Sequence, residues 1–95
     1  MISHSYAVEG KLTSLNGSNM VIVWRDKDAL REGITLIQAG IHQTNPALLL
    51  PLVSCMVASG TGAIITDGGF TTQAILVTEG ASSGCRGTVP TENFK

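Results

Sequence analysis

The chain predicts an α+β fold: a single antiparallel sheet with one helix packed on one face, in the order β-β-α-β-β-β. Three observations lead there. Two turn signals, Asn16-Gly17 and Asp67-Gly68-Gly69, each stand between apolar runs of strand length and read as hairpins, because tight hairpin turns need positive φ. Between them, Leu30, Ile34, Ile37 and Ile41 recur at helical spacing. Finally, residues 33–66 contain no Asp, Glu, Lys or Arg. Such a stretch cannot lie open to water, so the other elements must be arranged to cover it.

The 95 residues suit one small α+β domain spanning 1–95, since a second core would be too small to stand alone. Charged residues make up 14% of the chain, against about 25% in ordinary domains. Net charge is −1, from six basic and seven acidic side chains. No basic stripe and only four aromatic residues (Tyr6, Trp24, Phe70, Phe94) are present, so nucleic-acid binding lacks both its electrostatic footprint and a stacking platform. The first residues carry no basic stretch followed by an apolar one, and two cysteines set no disulfide framework, so a reduced, cytoplasmic protein is the expectation. Residues 46–65 are uncharged over a membrane-spanning length. Pro51, Ser54, Ser59, Gly60 and Gly62 interrupt them and no Lys or Arg flanks them, so no membrane segment is expected.

Residues 4–26 read as the first hairpin. Tyr6, Val8 and Leu12 share one face by alternation, and Glu9, Lys11 and Thr13 the other. The return strand, Asn19 to Arg25, is apolar on both faces, the pattern of a central strand or of one covered by another subunit. Asp26 is placed to cap a helix running from Lys27 to about Ile41. Leu30, Ile34, Ile37 and Ile41 should be buried there, with Arg31 and Gln38 exposed. Gly33 and Gly40 fall on a seam of mostly small residues that suits close packing.

Residues 46–58 support two readings. As a helix, Asn45 and Pro46 would cap its start, but Pro51 would fall inside at a cost of about 3 kcal/mol. As a strand from about Leu50, Pro51 sits harmlessly at the beginning and Val53 and Val57 fit. The strand is chosen, with a second short helix at 46–58 as the alternative. Ser59 to Gly62 is a turn, Ala63 to Thr66 a strand, and Phe70 to Thr78 the returning strand. Glu79 to Gly87 is turn-rich. Residues 85–95 add an edge strand or an arm exchanged with a neighbour.

No motif assigns a reaction. The glycines at 60, 62, 68 and 69 lack the lysine of a phosphate loop and the spacing of a dinucleotide fingerprint. His4, His42, Cys55 and Cys85 show no paired ligand spacing, so no metal and no cofactor is expected. Cys55 lies in the apolar run and reads as a small buried hydrophobe. Cys85, beside the cation Arg86, is the one candidate nucleophile, with His42 as candidate base. Otherwise His42 reads as a cation near the helix C-terminus. Trp24, His42 and Arg86 are the candidate ligand-binding residues, around an apolar groove between helix and sheet.

Strand alternation sets Val21, Val23, Val53 and Val57 opposite Met20, Ile22, Trp24 and Met56. One helix covers one face, so the valines would form an open apolar patch. That predicts a homo-oligomer, a dimer or higher, and a non-catalytic binding or interaction module. The runner-up is a small enzyme using Cys85.

Overall fold

The computed structural model describes residues 8–14 and 19–95. Its elements are β1 (Val8–Leu12), β2 (Met20–Trp24), α1 (Lys27–Gln38), the single-turn α2 (Ile41–Thr44), a 3₁₀ segment at Pro46–Leu52, β3 (Val53–Ala58), β4 (Thr61–Asp67), β5 (Thr72–Val77), β6 (Arg86–Pro90) and a 3₁₀ turn at Thr91–Asn93. Six strands form one antiparallel sheet in the order β1-β4-β5-β6-β2-β3. The predicted α+β class holds, and the sixth strand, β6, falls within residues 85–95.

Among the described residues, β1 and β2 do not pair as the first hairpin would require. β1 pairs with β4, and β2 lies between β6 and β3. β3 pairs along the whole of β2, and β6 meets β2 at one residue pair, Trp24 with Thr88. The turn signal Asn16-Gly17 and Tyr6 lie outside the described residues. β4 and β5 pair as the second expected hairpin, but through a longer connection, residues 68–71, in which neither Gly68 nor Gly69 takes a positive φ. Residues 85–95 supply β6, inside the sheet between β5 and β2, and not an edge strand.

The contested stretch contains both answers. Pro46–Leu52 winds as a 3₁₀ helix with Pro51 inside it, and the strand begins only at Val53. A 3₁₀ turn accepts Pro51 with no long α-ladder to break. The backbone carbonyl of Leu52 accepts from Arg25 N at 2.8 Å, and that of Pro51 from Arg25 Nη1 at 2.8 Å, which ties the segment to the end of β2.

In the β2–β3 ladder Val23 faces Cys55 and Trp24 faces Val53, so Ser54 is an extra residue, a β-bulge. The bulge changes which face the strand presents. Val53 falls with Trp24 under α1, while Val57 and Cys55 fall with Val21 and Val23. The expected grouping of Val53 with the other three valines is thereby corrected.

The valine face is closed within one chain. Leu12, Val21, Val23, Val57, Ala63, Ile75, Val77 and Val89, drawn from all six strands, form one core. Val21 is 3%, Val23 0% and Val57 4% exposed. With α1 on the opposite face, only the sheet's own curl and the chain's last residues can bury them. Phe94 packs on this core and bridges Leu12, and Lys95 N donates to Lys11 O at 2.8 Å. The open patch that motivated the oligomer is therefore absent on that face.

The second core lies between helix and sheet: Trp24, Ala29, Leu30, Leu49 and Leu52, with Ile22, Ile34, Leu36, Ile37 and Val53 against them. Asp26 caps α1, its carboxylate accepting from Ala29 N at 2.7 Å. α1 ends at Gln38, short of Ile41, because Gly40 takes a left-handed conformation at φ 80°. Gly40 thus serves a turn, not close packing. Gly33 is the packing glycine: a Cβ there would collide with the Trp24 ring.

Candidate functional site

Three elements make one apolar groove. The outer face of β2 presents Met20, Ile22 and Trp24, and Met56 of β3 stands opposite Ile22 in the ladder. α1 crosses at the Trp24 end, where the missing side chain of Gly33 lets the indole slide beneath it. A helix of twelve residues is about 18 Å long, and this one does not reach over the far end of β2 and β3. Met20 is left 41% and Met56 50% exposed, while Trp24 at the covered end is 3% exposed. Ile34 and Ile37 are half-buried along the side. That corrects the expectation of full burial for the helical stripe: Leu30 is core, and Ile34 and Ile37 are wall.

The groove is open to solvent and offers about 370 Å³. Ser14, Val21, Pro90 and Asn93 complete its described lining. Asn93 is held in place, since its Nδ2 donates to Thr13 O at 2.8 Å and its carbonyl accepts from Thr13 N at 2.7 Å. None of the described lining residues is ionisable. Such a wall suits an uncharged or apolar molecule and holds no acid–base pair.

The residues singled out from sequence fall in three places. Trp24 lines the groove as its inner wall. His42 is exposed in α2, and neither it nor Arg86 belongs to the lining. Arg86 opens β6 opposite Leu76, exposed, with its carbonyl accepting from Ser54 Oγ at 2.6 Å. Cys85 is bonded to Cys55 in a disulfide. This overturns the reading of Cys55 as a free buried thiol and of Cys85 as a free nucleophile. Strand β3 and the turn before β6 are brought together on the curled face, an encounter between residues 30 positions apart that spacing alone does not reveal.

A second cleft contains Glu9, Lys11, Gly62 and Glu79. Glu79 there accepts from Gly62 N at 2.7 Å and stands 4.0 Å from Lys11 Nζ. Both charged side chains are well exposed, so the pair adds little. The carboxylate acts as a clip on the backbone of β4.

Sequence reasoning named the groove and Trp24 but missed Met20, Met56, Ile34 and Ile37 as its lining. One signal was present: Met20 and Met56 stand in two uncharged apolar runs and carry a side chain suited to adaptable apolar contact. Comparison with family models, with curated proteins and with solved structures finds no match to this chain.

Proposed function

We propose that the protein is a non-catalytic binding module that seats a small apolar ligand in the groove between α1 and the outer face of β2 and β3. One observation carries the reading: an apolar concavity of about 370 Å³, with exposed methionines at one end and a buried tryptophan at the other. That volume lies within the 300–1,000 Å³ typical of small-molecule sites. Trp24 is the chain's one tryptophan, so its fluorescence reports on the site directly. Titration with an uncharged apolar probe such as N-phenyl-1-naphthylamine should quench or shift that emission. Met56→Asp should weaken probe binding at least tenfold without unfolding the chain, because position 56 is half exposed. Probe binding unchanged in Met56→Asp would overturn the assignment.

The module acts as a homo-oligomer. The valine face no longer supports this, but the sheet edges do. The β1 edge is covered by Phe94 and Lys95, whereas β3 is an edge strand of six residues, Val53–Ala58, with no charge and no proline. An edge without those protections is a template for pairing with another strand. The enzyme reading has no observation in its favour, with Cys85 in a disulfide and His42 on a separate helical turn. Among the described residues no helix is long and apolar enough to cross a membrane. The Cys55–Cys85 disulfide weighs against the cytoplasmic setting expected from composition and favours an oxidising one.

A further inference from the structure

The disulfide has a hydroxyl beside it. Ser54, the bulged residue of β3, places Oγ 3.2 Å from Cys85 Sγ and donates to the Arg86 carbonyl at 2.6 Å. Cys55 and Cys85 are each half-buried, and Ser54 and Arg86 on either side are exposed. The two sulfurs are not equivalent. Only Cys85 has the Ser54 hydroxyl in reach, and only Cys85 is followed in the chain by a cation, Arg86. In thiol–disulfide exchange the sulfur that departs is the one whose thiolate is better stabilised, because a lower-pKa thiol leaves faster.

We propose that Cys55–Cys85 is a thiol–disulfide exchange site with Cys85 as the leaving sulfur and Ser54 as its positioning residue. An external thiolate, such as that of a small cellular thiol or a protein dithiol, attacks Sγ of Cys55. A new S–S bond forms to Cys55 as the Cys55–Cys85 bond breaks, and the electron pair of the old bond goes to Cys85 Sγ. The Ser54 O–H rotates from the Arg86 carbonyl to that thiolate. A second external thiolate then attacks the external sulfur of the mixed disulfide and releases Cys55. In all, two external thiols are oxidised to their disulfide and the two protein cysteines are reduced, with two protons carried over. The bulge is what makes the arrangement available, since a regular ladder would have no unpaired residue at this point.

The test is exchange with glutathione on the folded, oxidised protein, followed by acid quench and mass mapping. The expected result is reduction without denaturant, through a mixed disulfide found on Cys55. Ser54→Ala should slow the first step about tenfold, equal to roughly 1.4 kcal/mol on the barrier. Ser54→Thr, which keeps the hydroxyl, should restore the rate. Circular dichroism of both oxidised variants checks that the sheet is intact. Should Ser54→Ala fail to fold, the position of the mixed disulfide in the native protein decides alone. Reduction only at the rate of global unfolding would overturn the proposal, as would a mixed disulfide on Cys85 or an unchanged rate in a folded Ser54→Ala.

Discussion

Gly33 shows how one missing side chain can set an interface. Alanine is the better helix former by about 1 kcal/mol, so Gly33→Ala should stabilise α1 taken alone. In the protein the new Cβ would land on the Trp24 ring, which is itself 3% exposed. Overpacking of this kind costs about 1–3 kcal/mol, so the clash should win. Urea denaturation followed by Trp24 fluorescence should show a net loss, and an unchanged midpoint would mean the ring can move aside. Asp26 makes a prediction in pH. Its carboxyl is held below the usual range, first by the hydrogen bond from Ala29 N and then by Arg25. A lowered folded-state pKa gives stability that is present above the unfolded value of 3.8 and is lost as pH falls through the lower folded value. Asp26→Asn keeps a capping acceptor but cannot titrate, so its thermal midpoint should fall less steeply between pH 4 and the acid limit. The Asp26 cap was legible because a cap is a local matter of one side chain and the next turn. The Cys55–Cys85 bond was not, since it depends on how the sheet curls.

At the scale of elements, residues 46–58 hold the clearest lesson. Local chemistry favoured a helix at Asn45-Pro46 and a strand at Val53 and Val57, and both tendencies are satisfied in turn by a 3₁₀ segment and then β3. Pro51→Ala should change stability by less than about 1 kcal/mol, acting mainly on the unfolded chain. Circular dichroism of that variant should show no added helix, because β3 is held by its ladder to β2. That β1 and β2 do not pair has a different origin. A turn signal can bring two strands near, but β2 is apolar on both faces and pairs along its length with the equally uncharged β3 instead of with β1. Strand existence was therefore readable from composition, while pairing was decided by competition among all six strands. The disulfide fastens this arrangement by closing a loop of 30-residue separation. Removing it in a Cys55→Ala/Cys85→Ala double variant should cost roughly 3–4 kcal/mol by the loop-closure argument. Comparison of urea midpoints would check it.

For the whole molecule, the proposed oligomer requires a surface that a second copy could cover. The sequence pointed to the valine face, and the curl of the sheet removes that choice by burying Val21, Val23 and Val57 inside one chain. Alternation along a strand tells which residues share a face. It does not tell whether the sheet stays flat enough to leave that face open. What remains is the edge of β3, unprotected by charge or proline, while the opposite edge is covered by the chain's own last residues. The two surfaces predict different mutants. Val23→Asp should unfold the chain at any concentration, since it buries a carboxylate in a one-chain core. Ala58→Lys, at an exposed edge position, should leave the circular dichroism intact and stop strands from pairing across copies. Light scattering should therefore find the wild-type protein well above the 9.9 kDa of one chain and Ala58→Lys close to it. A wild-type species of one-chain mass that persists at high concentration would refute the oligomer. A folded Ala58→Lys of wild-type mass would show instead that the copies meet somewhere other than β3.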